Sequence, residues 1–218
     1  MNKLKIVIID DQTLMRDGLK TILDLEEDMQ VVGTAANGYE GHKLVLELKP
    51  DIVLMDIRMP VLNGVEATRL IKRELKDVIV IILTTFDDDE FIVEALSCGA
   101  AGYILKDIDG DRLIQSIKDA YNGDMILPAK IAAKLATKVL KIENENSNES
   151  GININTFEFT EREKEICKLL SEGYTNKEIC EKLFLTNGTV KNYVTNIYNK
   201  LGVSNRLSAV LFLKKIEI

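Results

Sequence analysis

Asp10 and Asp11, Asp56, Thr84 and Lys106 are the residues whose types and spacing could do chemistry. Each closes a short apolar run. Lys5–Ile9 leads into Asp10-Asp11, Ile52–Met55 into Asp56, Val78–Leu83 into Thr84-Thr85, and Tyr103–Leu105 into Lys106. In an open parallel sheet, ligands bind beyond the carboxyl ends of the strands. Three carboxylates, a hydroxyl and an amine would then converge on one sheet edge. Crowded carboxylates repel one another unless a hard cation joins them. Mg²⁺ suits such a set, because it takes one or two carboxylates, keeps several waters and accepts a phosphate oxygen. One carboxylate could then attack a phosphoryl group and form an aspartyl phosphate. That transfer depends on positioning and charge neutralisation more than on acid–base catalysis. Lys106 would neutralise one phosphate oxygen and the Thr84 hydroxyl would hydrogen-bond another. Taken singly, a strand-end aspartate is usually a turn or cap residue, and a lysine a solvated charge. The coincidence on three strand ends plus the hydroxyl favours the chemical reading. Thr85 is expected to point to the opposite face, because strand side chains alternate.

The elements that must position these groups are legible as alternation. Lys5–Ile9, Gln30–Thr34, Ile52–Met55, Val78–Leu83 and Tyr103–Leu105 are rich in Val and Ile and apolar on both faces, the pattern of buried parallel strands. Between and after them lie amphipathic stretches at Leu14–Leu25, Gly38–Leu48, Val65–Leu75, Glu90–Cys98 and Asp111–Tyr121. The spacing predicts an α/β, doubly wound, five-stranded parallel sheet over residues 1–124. Residues 125–156 read as a linker with a helix over 128–141, followed by a wholly polar stretch at Glu143–Ser150. From 157 to 218 the pattern is all-α, with four helices. Thr160-Glu-Arg-Glu163 and Thr175-Asn-Lys-Glu178 are capping boxes, and Gly173 closes the first helix. Thr186 caps a third helix in which Val190, Val194, Ile197 and Leu201 recur at helical spacing, and a fourth runs from about Ser204 to Lys214. Two short helices joined by a tight turn make a helix-turn-helix.

Composition narrows the classes further. The chain is 46% hydrophobic and 29% charged, with three prolines, as in ordinary globular proteins. No apolar run reaches the roughly 18 residues of a membrane span. The N-terminus shows no cleavable signal pattern, so a cytoplasmic location is expected. The cysteines Cys98, Cys167 and Cys180 lack C-x-x-C spacing, and His42 is the one histidine, which excludes a Cys/His zinc site. The net charge of −7 is unevenly spread: −10 in residues 1–124, +1 in 125–157 and +2 in 158–218. The acidic part masks a mildly basic tail.

With these residues in place, the chain resembles two known modules. Asp10-Asp11 after Ile6–Ile9, Met55-Asp56-Ile-Arg-Met-Pro60 with Gly64, and Thr84 followed by Gly102-Tyr103-Ile-Leu-Lys106 resemble the flavodoxin-like receiver domain of response regulators. The resemblance implies Asp56 as phospho-acceptor from a sensor histidine kinase. It implies Asp10 and Asp11 as Mg²⁺ ligands together with Asp56 and the Arg58 backbone carbonyl, and Thr84 and Tyr103 as a switch pair. Phe159–Glu163, Asn176–Ile179, Gly188–Lys191, Asn196-Ile197 and Lys200–Val203 with Arg206 resemble the LuxR-type helix-turn-helix. Together the two resemble the NarL/FixJ family of transcriptional regulators. The departures are Asp107, where many receivers have proline, Tyr193, where the tail family usually has histidine, and Asn187, where an acidic or small residue is common.

The expected function is therefore a phosphorylation-dependent, DNA-binding regulator of a two-component system, not an enzyme, although a receiver assists its own phosphorylation and dephosphorylation. With Val190, Val194, Ile197 and Leu201 packed inward, Lys191, Asn192, Thr195 and Asn199 face outward. Asn can read adenine, Lys can reach guanine or phosphate, and Thr can contact a thymine methyl or phosphate. Thr189 is suited to a phosphate. The expected partners are double-stranded DNA with a two-fold site and a second copy, formed as a homodimer through the last helix on activation. RNA polymerase is a candidate further partner. Two other readings compete. One is a Mg²⁺-dependent phosphotransferase or phosphatase using Asp56 on a small substrate, which the sequence supports little, since Arg58 stands where a general acid would. The other is a DNA-binding protein with a vestigial receiver, against which the complete Asp10, Asp11, Asp56, Thr84 and Lys106 set argues.

Overall fold

The computed structural model describes residues 3–84, 89–127 and 157–215. The chain divides into two compact units, Met1–Tyr121 and Asn122–Ile218. The expected helix over 128–141, the polar stretch 143–150 and Thr85 lie outside the described residues.

In the first unit the strands are β1 (Leu4–Ile9), β2 (Met29–Ala35), β3 (Ile52–Asp56), β4 (Ile79–Thr84) and β5 (Gly102–Leu105). They alternate with α1 (Thr13–Asp24), α2 (Gly38–Leu48), α3 (Gly64–Glu74), α4 (Asp89–Ser97) and α5 (Gly110–Tyr121). The sheet is parallel with the order β2-β1-β3-β4-β5. This is the doubly wound arrangement expected from the alternation. The central strands are buried on both faces: Ile6, Val7, Ile8, Ile9, Ile52, Val53, Leu54 and Met55 are all fully buried. Burying each such side chain stabilises the fold by about 1.5–3 kcal/mol relative to exposure. That is why these strands read as unbroken apolar runs. The order reverses at β1 and β3, so the edge beyond their carboxyl ends is the crevice in which open α/β sheets bind ligands.

In the second unit the helices are α6 (Glu161–Ser171), α7 (Asn176–Leu183), α8 (Asn187–Leu201) and α9 (Arg206–Lys215). Both predicted capping boxes form. Thr160 accepts from the Glu163 N–H at 3.2 Å and Glu163 accepts from the Thr160 N–H at 2.7 Å. Thr175 and Glu178 repeat this at 3.3 and 2.7 Å. Past Gly173, the Tyr174 N–H reaches back to the Leu169 carbonyl at 3.1 Å and ends α6. Thr186 caps α8 by accepting from the Thr189 N–H at 3.2 Å. Phe184, in the left-handed conformation at φ 54°, turns the chain between α7 and α8. The fourth helix starts two residues later than expected, because the Asn205 side chain caps it by accepting from the Ser208 N–H at 2.8 Å. Ile166, Leu170, Ile179, Val190, Val194, Ile197, Ala209 and Leu213 form the core. Beside it, buried Glu163 meets the Lys200 ammonium at 2.7 Å, a pairing between α6 and α8.

Candidate phosphoryl-transfer site and DNA-reading helix

β1 delivers Asp10 into a fully buried position, where its N–H donates to the Ala35 carbonyl at 3.1 Å. Its Oδ1 accepts from the Gln12 N–H at 2.9 Å, and Arg16 Nη1 donates to its carbonyl at 2.6 Å. Asp56, at the end of β3, is only 4% exposed. Lys106 joins the two. Its Nζ lies 2.8 Å from Asp10 Oδ2 and 3.0 Å from Asp56 Oδ1, with the lysine side chain 8% exposed. The Lys106 N–H donates to the Thr84 carbonyl at 2.7 Å, which ties the end of β5 to the end of β4.

Burial pushes the Asp56 carboxyl up to about 6, opposed by the Lys106 hydrogen bond and charge, while Asp10 adds to the upward push. Burial works against the charge on Lys106, but its bonds to Asp10 and Asp56 outweigh it and hold its pKa above the ordinary lysine value. Each of these partners stabilises the ionised form of the other.

One carboxylate oxygen each from Asp10, Asp11 and Asp56 lies within 4.8 Å of the other two. Asp10 and Asp56 are buried while Asp11 is exposed, so the cluster has a closed floor and an open mouth. Hard oxygen donors at this spacing fit Mg²⁺, which keeps waters on its open side. Arg58, whose carbonyl was expected to join them, is an exposed residue two positions after Asp56. Thr84 is fully buried, and Tyr103 is 1% exposed on β5, opposite Ile82.

The loop after Asp56 is held by a clearance that only glycine permits. The Gly64 N–H donates to the Ile57 carbonyl at 2.9 Å. A Cβ at this position would lie 1.9 Å from the Asp56 carbonyl oxygen. The Asn63 side chain caps α3 by accepting from the Glu66 N–H at 2.9 Å. Sequence reasoning missed Gln12 and Arg16, which fix Asp10. No local pattern distinguishes them from other polar residues of a first helical turn.

In the second unit, Val190, Val194, Ile197 and Leu201 are buried, as the spacing predicts. Asn192, Thr195 and Asn199 are exposed, while Lys191 and Thr189 are half-buried. The Thr189 hydroxyl is 2.8 Å from that of Thr186, so it is already engaged in the helix cap. α7, the turn at Phe184 and α8 form a helix-turn-helix with a polar outer face on the second helix.

A five-stranded parallel sheet with an acidic, lysine-bridged edge, joined to a helix-turn-helix unit, defines a signal receiver coupled to a DNA-binding module. Residues 6–118 match the family model "Response regulator receiver domain", and residues 158–213 match "Bacterial regulatory proteins, luxR family". The chain is 45% identical over 214 residues to the transcriptional regulatory protein LnrK of Bacillus subtilis (strain 168), covering 96% of each chain. It is 39% identical over 218 residues to the oxygen regulatory protein NreC of Staphylococcus aureus (strain JH9), covering 99% of each. Among solved structures it resembles the response regulator ChrA of a heme-sensing two component system, with TM-score 0.53, 30% identity and coverage of 99% of this chain and 98% of that one. The chain belongs to the NarL/FixJ family of two-component response regulators. It is a DNA-binding transcriptional regulator and not a turnover enzyme, which sets aside the small-substrate phosphotransferase reading. Among the described residues, no helix is long and apolar enough to cross a membrane.

Proposed function

We propose that Asp56 is the phospho-acceptor and that its state controls DNA binding by α8. The reading rests above all on the Lys106 ammonium, held at 2.8 and 3.0 Å between Asp10 and Asp56 in the three-carboxylate cluster. The donor is the phosphohistidine of a sensor histidine kinase. An Asp56 carboxylate oxygen attacks phosphorus, the P–O bond forms, and the P–N bond to the donor imidazole breaks. The leaving imidazole takes its proton from solvent. Asp10, Asp11 and Asp56, with the Arg58 carbonyl, would hold Mg²⁺, which supplies charge neutralisation to the transferring phosphoryl group. Lys106 takes up one phosphoryl oxygen and Thr84 a second, and Tyr103 repacks in response. A hydrophobic groove beside Lys106, lined by Leu14, Met15, Ile22 and Leu105, offers an apolar surface for a kinase helix next to the acceptor. Leu14 is 86% exposed there.

On the DNA side, Lys191, Asn192, Thr195 and Asn199 meet base edges or phosphates in the major groove, and Thr189 a phosphate. Activation produces a homodimer through α9. This helix is apolar nearly all round, yet Leu207, Val210 and Leu211 remain half-exposed while Ala209 and Leu213 fill the core. Those three residues share one face at i, i+3 and i+4 spacing, the stripe a second copy would cover. A symmetric dimer reads a two-fold site with half-sites one helical turn apart, about 34–36 Å. Such a regulator works in the cytoplasm, where its promoter is, and acts on transcription through RNA polymerase.

The test is sedimentation of wild type and Asp56→Asn, each with and without Mg²⁺ and beryllofluoride, a phosphoryl mimic. Wild type alone should shift from monomer to dimer, and only with both additions. An equal shift in Asp56→Asn would refute Asp56 as the switch. No shift in either protein would refute dimerisation as the output, and DNA binding under the same conditions would then decide whether the switch operates.

A further inference from the structure

The outward face of α8 carries amides and no charge. Gly188, Asn192, Thr195 and Asn199 are exposed and stand at i, i+4, i+7 and i+11, opposite the buried Val190, Val194, Ile197 and Leu201. Among the described residues, none hydrogen-bonds the side chains of Asn192, Thr195 or Asn199. Polar groups beside this face are already committed. The Thr189 hydroxyl lies 2.8 Å from that of Thr186. The Lys200 ammonium donates to Glu163 at 2.7 Å and to the Glu158 carbonyl at 2.8 Å. Lys191 and Lys200 are the only charged residues of the helix, which contains no Arg, Asp or Glu.

Gly188 is the one member of this face that the protein itself does not explain. Gly64 is required by the Asp56 carbonyl beside it, and Gly173 and Gly202 by φ values of +90° and +70°. At Gly188 the backbone is outside the left-handed region, and a Cβ would meet nothing within 4 Å. Glycine weakens a helix relative to alanine, so this position gives up stability that neither packing nor backbone geometry demands. What glycine offers there is close approach of an outside surface to the helix backbone. Gly188 lies one turn before Asn192, in the N-terminal part of the helix that contacts base edges in a helix-turn-helix.

We infer that α8 recognises an A·T pair in each half-site, with Asn192 specifying the adenine and Gly188 giving the clearance that brings the helix close enough to reach it. This rests on DNA meeting the outward face of α8, as proposed above. In the major groove an Asn or Gln amide pairs bidentately with adenine, guanine takes Arg or Lys, and cytosine takes Asp or Glu. A face of amides without charge therefore matches adenine and leaves guanine or cytosine without a partner. The Asn192 side-chain carbonyl accepts from adenine N6–H, and its amide donates to N7. Thr195, three residues on along the same face, sets its methyl against a thymine C5-methyl. Asn199, a turn further from the helix start, takes a phosphate at the groove edge.

The experiment uses the full chain with Mg²⁺ and beryllofluoride, and duplexes selected by wild type from a randomised pool. The enriched sequences are read, labelled with fluorescein and titrated by anisotropy against wild type, Asn192→Ala and Gly188→Ala. Each half-site should contain an A·T pair whose replacement by G·C weakens wild-type binding about tenfold, the discrimination of one bidentate contact. Placing 7-deazaadenine there, which lacks the N7 acceptor, should cost wild type about threefold. Asn192→Ala should bind all three versions of the site within about twofold of one another, because the coupling between this side chain and this base is gone. Gly188→Ala should raise the melting temperature of the second unit yet weaken every selected duplex about tenfold or more, as an added methyl does in a close-packed contact. A merely structural glycine would not move stability and affinity in opposite directions. If Asn192→Ala weakens the A·T and G·C versions equally, or if the pair it governs is G·C, adenine reading is overturned while α8 stands as the DNA surface. Wild-type affinity in Gly188→Ala would overturn the clearance. If active wild type enriches no duplex at all, the proposed DNA surface fails first, and this inference falls with it.

Discussion

Replacing Lys106 with methionine keeps the length of the side chain and removes its charge. Lys106→Met therefore isolates the electrostatic role of the lysine from its packing. In the native site the ammonium makes two ion pairs, at 2.8 and 3.0 Å, with side chains that are 0% and 5% exposed. Removing one partner from a buried pair typically costs about 3–5 kcal/mol, because the remaining charge is left buried and uncompensated. Here two carboxylates are left facing each other, and Asp11 beside them keeps an exposed, water-screened side. Water entering through that mouth moderates the loss, so the lower end, about 3 kcal/mol, is the expected figure in metal-free buffer. For a unit of this size a loss of 1 kcal/mol lowers the melting temperature by roughly 4 °C, so the receiver transition should fall by about 12 °C. Calorimetry is the appropriate assay, since it resolves the transitions of two units in one chain. Added Mg²⁺ should return part of the loss, because an ion bound only to the native site stabilises it by about 2.7 kcal/mol at one hundred times its Kd. Mg²⁺ should also bind the variant more tightly than wild type, the competing ammonium being gone. An unchanged receiver transition in chelator would mean that Lys106 is not the counter-charge of Asp10 and Asp56 in solution, and the reasoning would be wrong.

Other outcomes follow from the same geometry. Gly64→Ala should slow phosphorylation of Asp56 by acetyl phosphate at least tenfold and lower the receiver melting temperature, because its Cβ would lie 1.9 Å from the Asp56 carbonyl oxygen. A wild-type rate in that variant would show the loop to be free to move. Burial pushes the Glu163 carboxyl up, but bonds from Lys200 and Thr160 outweigh it and hold its pKa below the ordinary 4.5. Its contribution is therefore fully present above pH 4.5 and lost as pH falls below that value through the folded pKa. Melting of Glu163→Gln against pH should lack this acid-side decline of the second unit, and a decline parallel to wild type would count against the pairing. Lys191→Ala and Asn192→Ala should each weaken binding to the selected duplex by about 1–3 kcal/mol if they reach bases. Unchanged footprints in both would move the reading surface elsewhere.

The sequence by itself determined the elements and the list of groups brought to the sheet edge. Strand and helix periods are local, so Ile6–Ile9 and Ile52–Met55 announced buried parallel strands, and Val190, Val194, Ile197 and Leu201 one packed helix face. Capping at Thr160, Thr175 and Thr186 was legible for the same reason, since each bond spans three residues. The rule that parallel strands present their carboxyl ends to one crevice then gathered Asp10, Asp56, Thr84 and Lys106 without any coordinates. Only the tertiary structure decided how those groups pair. That Lys106 bridges Asp10 and Asp56, that Glu163 serves Lys200 across 37 residues, and that Asn122 holds Asn187 across 65 have no periodic signature. Such contacts depend on distances of a few tenths of an ångström between elements far apart in the chain. Composition and spacing constrain which elements form, whereas the packing of those elements fixes which side chains touch.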